Sequence, residues 1–575
     1  MSKSLCELHE VFVPFKTTKV ESGSIIFFNE GLSCGFTRDD LILRYCYIVD
    51  PELSEKINSF SETDSEKFFF AERYGGDRIF KNGGGGRCGF DGIFQIKGIG
   101  PTNLIGTDVA LVDRSGVLDV ESAVYEVIWS EIINFSLPYG AIRSSAIIDL
   151  GLCFKYEGKD YPRALLVRLP AVRPAHFLRA NYFKDSGSKG GAEDVARVKA
   201  AIRRIIEFLP AVKNKNESSN YELLSEGLVE LAQRYAEQFA ASRAKQIYHN
   251  NISASNLSID GKWIDLSSAK IFTSLKNGDK QDILNFESEH VQAMKSIGAI
   301  CYHLVKYSVI NAGESQTILK RISAAFIAKY KSELYLCCNV KAGFFPKLLR
   351  QLNQGSAYLA FSNNLRKVLA YDSYSVTTLS TELGWVGYEH WGLHLYLKLL
   401  SGVTHGVSQD YTFLNVKSEL ISDLVSSYEQ FFDQVTILAH QEGITRKSLI
   451  YGMFVNIVRL NRSSEILFNL SKSIKDLAKG DLAYTSVAYD GFIRRAVRNA
   501  RLEFEDEIDF KIPFWYDEKV NIYFDALNAN FNISFIGGES LCVDSLNEIA
   551  LENTEILSAL SFYDTVWIDF YEENI

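Results

Sequence analysis

The sequence predicts an α+β protein of two lobes with a large, mostly α-helical C-terminal extension, and three observations carry that expectation. Residues 24–182 alternate short β-branched and aromatic runs with glycine turns, the pattern of a mainly antiparallel sheet. From about residue 185 onward, apolar residues recur at i, i+3, i+4 spacing, the pattern of packed helices. The 575 residues are 47% hydrophobic and 23% charged, which supplies extended cores and leaves little material for disorder. The expected division is an N-terminal lobe over 1–185, a helical C-terminal lobe over 186–340 and the extension over 341–575.

Within the first lobe, the strand-like runs are 24–28, 41–49, 93–97, 142–150 and 164–168. One helix interrupts them at 119–134, where Val120, Val124, Val127 and Ile128 keep a helical period. The small, polar stretch 184–191 marks the boundary. Beyond it Val195, Val198, Ile202, Ile205, Ile206 and Leu209 define one amphipathic helix, stopped by Pro210. Leu224, Leu228, Leu231, Tyr235 and Phe239 define a second over 222–243. Further helices are expected at 287–306, 316–330, 393–400, 418–439 and 448–460, whereas 520–575 mixes strand-like and helical runs and receives no assignment.

A net charge of −10 opposes binding to a phosphate backbone, so no nucleic-acid partner is expected. Nine cysteines with no C-x-x-C pair suggest neither a disulfide framework nor a zinc ribbon, and a reducing cytoplasm fits best. The first residues lack the basic-then-apolar pattern of a secretory signal. Apolar runs such as 125–135 are broken by Glu126, Ser130 and Glu131, so no membrane span is expected.

Three segments hold residues suited to chemistry. Four consecutive glycines, Gly83 to Gly86, are followed by Arg87; backbone N–H groups there can approach an anion, and no Gly-Lys-Ser/Thr follows to make a Walker loop. Lys97 ends a β-type run and can project into a nucleotide cleft if a helical carboxylate holds it. Glu126 and Glu131 on the next helix are about 140° apart around its axis, so only one can face the sheet. The third segment, 248–265, reads as a hairpin of strands 257–259 and 262–264 around an Asp260-Gly261 turn, bringing Asn256 and Asp265 to one end. An amide oxygen and a carboxylate are the hard ligands Mg²⁺ prefers when it also keeps waters and phosphates. Glycine loop, strand lysine, helix glutamate, loop asparagine and strand-end aspartate follow the order of a protein-kinase core. By contrast, His390 and His394 lack the glutamate of H-E-x-x-H and read as packing residues, and Cys337-Cys338 reads as a buried pair.

At this level of detail the chain resembles the selenoprotein O (SelO) family of kinase-fold adenylyltransferases over roughly residues 68–305. His249-Asn-Asn-Ile-Ser-Ala-Ser-Asn-Leu-Ser-Ile-Asp-Gly-Lys-Trp-Ile-Asp265 is similar to the family's H-G-V-M-N-T-D-N-M-S-I-x-G-x-x-I-D. Gln95-Ile-Lys97-Gly-Ile-Gly-Pro-Thr102 resembles Q-L-K-G-x-G-x-T-P, and Gly84-Gly-Gly-Arg87 resembles G-D-G-R. Ser122 to Glu131 resembles S-S-I-R-E-x-L-x-S-E, which selects Glu126 over Glu131 as the partner of Lys97. Val167 to Phe177 resembles the family's two-arginine segment. The resemblance implies a bilobal protein-kinase-like fold that binds Mg²⁺ and ATP between lobes and transfers AMP. It implies that Gly84, Gly86, Arg87 and Gly116 lie at the nucleotide and that Lys97, steadied by Glu126, binds phosphate. It further implies phosphate contacts for Arg168 and Arg173, and Mg²⁺ ligation by Asn256 and Asp265, so that cationic residues concentrate in one cleft.

Departures from the family pattern bear on mechanism. The catalytic-loop aspartate corresponds to Ser255, the Asp-Gly before the helix to Ser115-Gly116, and the glycine after the metal aspartate to Ser267. A neutral serine cannot act as general base at pH 7. Three readings follow: AMP transfer to a protein acceptor, a catalytically silent ATP-binding scaffold, or activation of a carboxylate that is already ionised and needs no base. The last resembles SelO-like proteins of microcin maturation, in which a peptide C-terminus is activated for a partner acyltransferase.

Overall fold

A computed structural model describes residues 3–49, 66–76, 84–105, 115–180, 190–210, 219–272, 280–353, 355–371, 376–381, 385–478, 486–550 and 553–571. Asn82 and Gly83 of the glycine run, and most of the 184–191 boundary, lie outside the described residues. The N-terminal region is one antiparallel sheet of eight strands, β1 (Phe12–Lys19), β2 (Ser24–Phe28), β3 (Tyr47–Ile48), β4 (Glu66–Glu72), β5 (Cys88–Phe90), β6 (Gln95–Lys97), β7 (Ser144–Tyr156) and β8 (Lys159–Arg168). Their spatial order is β2-β7-β8-β6-β5-β4-β1-β3, which sets the short β6 between β8 and β5. The β7–β8 hairpin closes on Glu157-Gly158, both at positive φ, the backbone that matches strand twist in a two-residue turn.

Alternation along β8 puts a small apolar cluster on one side of the sheet and the first of two large cores on the other. Leu165 and Val167 face a cluster with Leu41 and Tyr45, whereas Ala164 and Leu166 face the helix Val120–Ser136. That helix starts where Asp119 accepts the Ser122 N–H at 2.7 Å. Eleven of its 17 residues are buried, including Glu126, Trp129 and Ile132.

Two expectations for this region are corrected. Residues 41–49 do not form a strand: Arg38–Tyr45 is a helix, and only Tyr47–Ile48 is extended. Thr37 and Asp40 exchange the bonds of a capping box, and Leu41 and Tyr45, four apart, both bury; these local signals outweigh the β-branched content. The 257–259/262–264 hairpin is a loop with a single bridge, Leu257 to Trp263, because the Ser258 hydroxyl takes the Lys262 N–H. The sheet also begins earlier than expected, at Phe12.

The helices Gly190–Arg203, Asn220–Ala244, Glu289–Lys306 and Ala312–Lys341 follow, the second packed along the fourth. A second core gathers Pro346–Leu352, Ser356–Leu369, Gly392–His405, Ser418–Gln441 and Arg446–Leu460 around a four-stranded antiparallel sheet over 511–543 and the helix Thr554–Tyr571. Residues 341–575 are thus mostly helical but carry this sheet and a three-stranded one. Two helices beyond it, Leu470–Leu477 and Ser486–Phe504, pack on Val120–Ser136, and Leu470, Ile474, Phe492, Ile493 and Ala496 join the first core while Leu502 stays in the second. Among the described residues no helix is long and apolar enough to cross a membrane.

Candidate functional site

Period-two alternation on β6 puts Ile96 into the core behind the sheet and turns Gln95 and Lys97 toward the Val120–Ser136 helix. Gln95 pairs directly with Arg168 across β6 and β8, so one strand register delivers both side chains to the same place. Lys97 Nζ donates to Glu126 Oε2 at 2.5 Å and to Asp265 Oδ1 at 2.9 Å. Arg168 donates from Nη1 to Glu126 Oε1 at 3.0 Å and to Asp265 Oδ1 at 2.7 Å, and from Nε to Gln95 Oε1 at 2.6 Å. Arg173 reaches Asp265 Oδ2 at 3.3 Å, the Ser255 carbonyl at 2.6 Å and Gln95 Oε1 at 3.2 Å. Glu131, the other helix carboxylate, pairs instead with Arg143.

The groups are buried together. The Lys97, Arg168 and Arg173 side chains are 1–2% exposed and Glu126 is 4%, but Asp265 is 21%, so the aspartate is the member that meets the opening. Burial pushes the Asp265 carboxyl up, and the adjoining Arg168, Lys97 and Arg173 more than offset this, holding it well below the usual carboxylate range. Arg168 is likewise held above its ordinary value, because Asp265 and Glu126 outweigh its desolvation. Glu72 completes the set: it accepts from Gln95 Nε2 and from His176 Nε2 and lies 4.0 Å from Arg173 Nε. His176 Nδ1 accepts the Arg173 N–H at 3.1 Å, which places its proton on Nε2, and burial lowers its pKa so that the ring is neutral. Among the described residues Lys97, Arg168 and Arg173 thus meet three carboxylates, Glu72, Glu126 and Asp265, and this cluster is charge-balanced rather than cationic.

Asn256 and Asp265 are drawn together by the Ile264 N–H, which donates to the Asn256 carbonyl at 3.0 Å. The Asn256 amide nitrogen donates to the Asn251 carbonyl at 2.7 Å, and its oxygen accepts only the rotatable Ser255 hydroxyl at 3.2 Å. Asp265 adopts φ +61°, a strained backbone for a non-glycine residue, which is how a loop rather than a strand presents the carboxylate to three cations. Among the described residues no group of three or more His, Cys, Asp and Glu side chains gathers as a metal site. One amide oxygen and one ionised carboxylate do suit Mg²⁺, which fills the rest of its shell with water and phosphate oxygens.

The glycines have reasons of their own. Gly84 has φ +139°, and a Cβ there would sit 2.0 Å from the Glu72 carbonyl. Gly116 has φ +66°, and its Cβ would lie 2.3 Å from the Gly100 carbonyl carbon. The turn at 84–87 folds onto 98–102 through Thr102 N–H to the Gly86 carbonyl at 2.8 Å and Gly98 N–H to the Arg87 carbonyl at 3.0 Å. Gly84, Gly86 and Gly116 therefore serve close chain packing next to β6, and Arg87 is half-buried just before Cys88, the β5 partner of Lys97.

Ser255 is brought to the cluster through its backbone, since its carbonyl accepts from Arg173. Its hydroxyl meets the Ser253 hydroxyl at 2.9 Å and the Asn256 amide oxygen, and no carboxylate accompanies it. Sequence reasoning passed over Gln95, Glu72 and His176. Position i−2 from Lys97 on a strand was the available signal for Gln95; nothing local marked Glu72. Neither a protein-family model nor a curated protein matches the chain.

Proposed function

We propose that this chain is a SelO-like, kinase-fold adenylyltransferase that binds Mg·ATP between the eight-stranded sheet and the 248–265 loop. One observation carries the reading: Lys97, Arg168 and Arg173 converge on Asp265, the least buried acid of the cluster, while Glu126 braces two of them from behind. These are cations preassembled around an acid that a phosphate chain and its metal can replace. In nucleotidyl transfer a nucleophile attacks the α-phosphorus and the bond to pyrophosphate breaks, so negative charge grows on the α-phosphate and on the leaving group. Lys97, Arg168 and Arg173 would receive that charge, with the guanidinium groups suited to paired phosphate oxygens. Asn256 and Asp265 would hold Mg²⁺, which supplies Lewis-acid neutralisation of the phosphates. A charge-balanced apo cluster gains net negative charge when a triphosphate enters, which is the physical reason for a divalent partner.

The acceptor is best read as a carboxylate. A hydroxyl acceptor must lose a proton, and the Ser255 hydroxyl is engaged only with Ser253 and Asn256. A peptide C-terminus is ionised already; its attack gives an acyl-adenylate and pyrophosphate, ready for a partner acyltransferase. With α- and γ-labelled ATP, the expected result is pyrophosphate release with the α-label in AMP or its ester and a hydroxamate when hydroxylamine is added. Transfer of the γ-label to an acceptor would defeat the adenylyl reading. ATP binding without turnover on any peptide would leave a scaffold. Lys97→Met should lower turnover by about 10²-fold or more, the scale set by losing one preorganised charge.

A further inference from the structure

A second cavity of ≈ 320 Å³ lies in the extension, between the C-terminal end of the helix Ser486–Phe504, the strand Lys511–Tyr516 and the helix Thr554–Tyr571. Trp385, Trp515, Tyr516 and Phe562 form its apolar wall. Glu503 and Ser464 form part of its polar lining and are 5% and 3% exposed. Glu503 Oε1 accepts the Ser464 N–H at 2.6 Å, but its Oε2 and the Ser464 hydroxyl are buried and find no well-placed hydrogen-bond partner among the described residues, although the Ser463 and Ser464 hydroxyls lie close to the carboxyl. Such groups cost free energy unless something fills the space and bonds to them.

The chemistry of the lining selects the occupant. Asp517 and Glu555 also line the cavity, and no Lys, Arg or His does so among the described residues. Asp517 is committed to the Trp515 indole and to backbone N–H groups, and Glu555 to Lys519, which leaves Glu503 as the acid without a counter-charge. Arg462 lies over Trp385 and Phe562 but gives its donors to Glu389 at 2.7 and 2.8 Å. We propose that this cavity binds a small organic ammonium ion, its apolar body against Trp385, Trp515 and Phe562 and its N–H groups on Glu503 and Ser464. Indole and phenyl faces attract cations in the same way. Burial pushes the Glu503 carboxyl up to about 8, so at neutral pH it is mostly protonated and holding an ammonium ion releases that proton.

The full-length chain should be titrated by calorimetry with benzylammonium, neutral benzyl alcohol and anionic phenylacetate. Benzylammonium should bind at least about tenfold more tightly than benzyl alcohol, and phenylacetate should not bind, since the desolvated charge contact is worth that much. Glu503→Gln should erase the preference for the amine while leaving weak binding of the alcohol. Ser464→Ala should weaken the amine several-fold and serves where the first variant misfolds. Equal binding of amine and alcohol, or no binding of benzylammonium by the wild-type chain at millimolar concentration, would overturn the proposal.

Discussion

At the scale of single residues, Asp265 decides the state of its surroundings. Its charge compensates Lys97, Arg168 and Arg173 at once, so Asp265→Asn leaves buried cations short of a counter-ion. We expect a loss of about 3–5 kcal/mol, measured as a fall in Tm by calorimetry, the usual cost of breaking a buried pair from one side. The pH dependence follows from the depressed pKa: the stability Asp265 contributes is present above the ordinary carboxylate value and is lost as pH falls below it. Glu503 has the opposite sign. Its pKa is raised to about 8, so relative stability is present below the unfolded value and declines as pH rises toward 8. Glu503→Gln should flatten that decline, which runs at up to about 1.4 kcal/mol per pH unit, in urea titrations between pH 5 and 8. Lys97, Asn256 and Asp265 were legible from motif order, whereas the choice of Glu126 over Glu131, and Arg168 and Arg173, came only through the family resemblance. Gln95, Glu72 and His176 were not legible, because their partners are set by strand register and by chain separations of 23 to 104 residues.

At the scale of elements, the junction beside β6 depends on contact between backbones. Gly116→Ala would force a methyl into Gly100 and Pro101, whereas Gly92→Ala, at φ +98° with open space around it, meets only the cost of a left-handed backbone. The second should lose about 1–2 kcal/mol and keep its nucleotide affinity. The first should lose more and bind nucleotide weakly, as read by thermal unfolding with and without Mg·ATP. Amphipathic helices were legible because their period is local: Val120–Ser136 and Asn220–Ala244 fall within three residues of expectation. Residues 41–49 were misread because apolar residues dominate both a strand and a short buried helix, and the capping box at Thr37 was the signal that separated them. The sheet over 511–543 went unassigned because Asn, Asp and Lys are interspersed through a meander whose apolar face is defined only by the second core.

At the scale of the molecule, two cores share one chain unevenly. The second draws on 335–566, yet the helices Leu470–Leu477 and Ser486–Phe504 cross back to cover the Val120–Ser136 helix. A chain ending at residue 345 would therefore uncover the side of that helix on which these two helices pack, and we expect it to aggregate or to be digested far faster by trypsin than the full chain. Length and composition could announce enough apolar residues for such cores; they could not announce that a late segment completes an early one, since return packing is a property of the folded path alone.

The helix that carries Glu126 lies between the sheet and the returning helices, and of its residues only Asn134 is exposed. A helix enclosed on both sides has no position to retreat to. The contact between Glu126 and Lys97 is then a fixture of the fold rather than a switch. Deuterium exchange would register this as amides of 120–136 that open only when the whole fold opens.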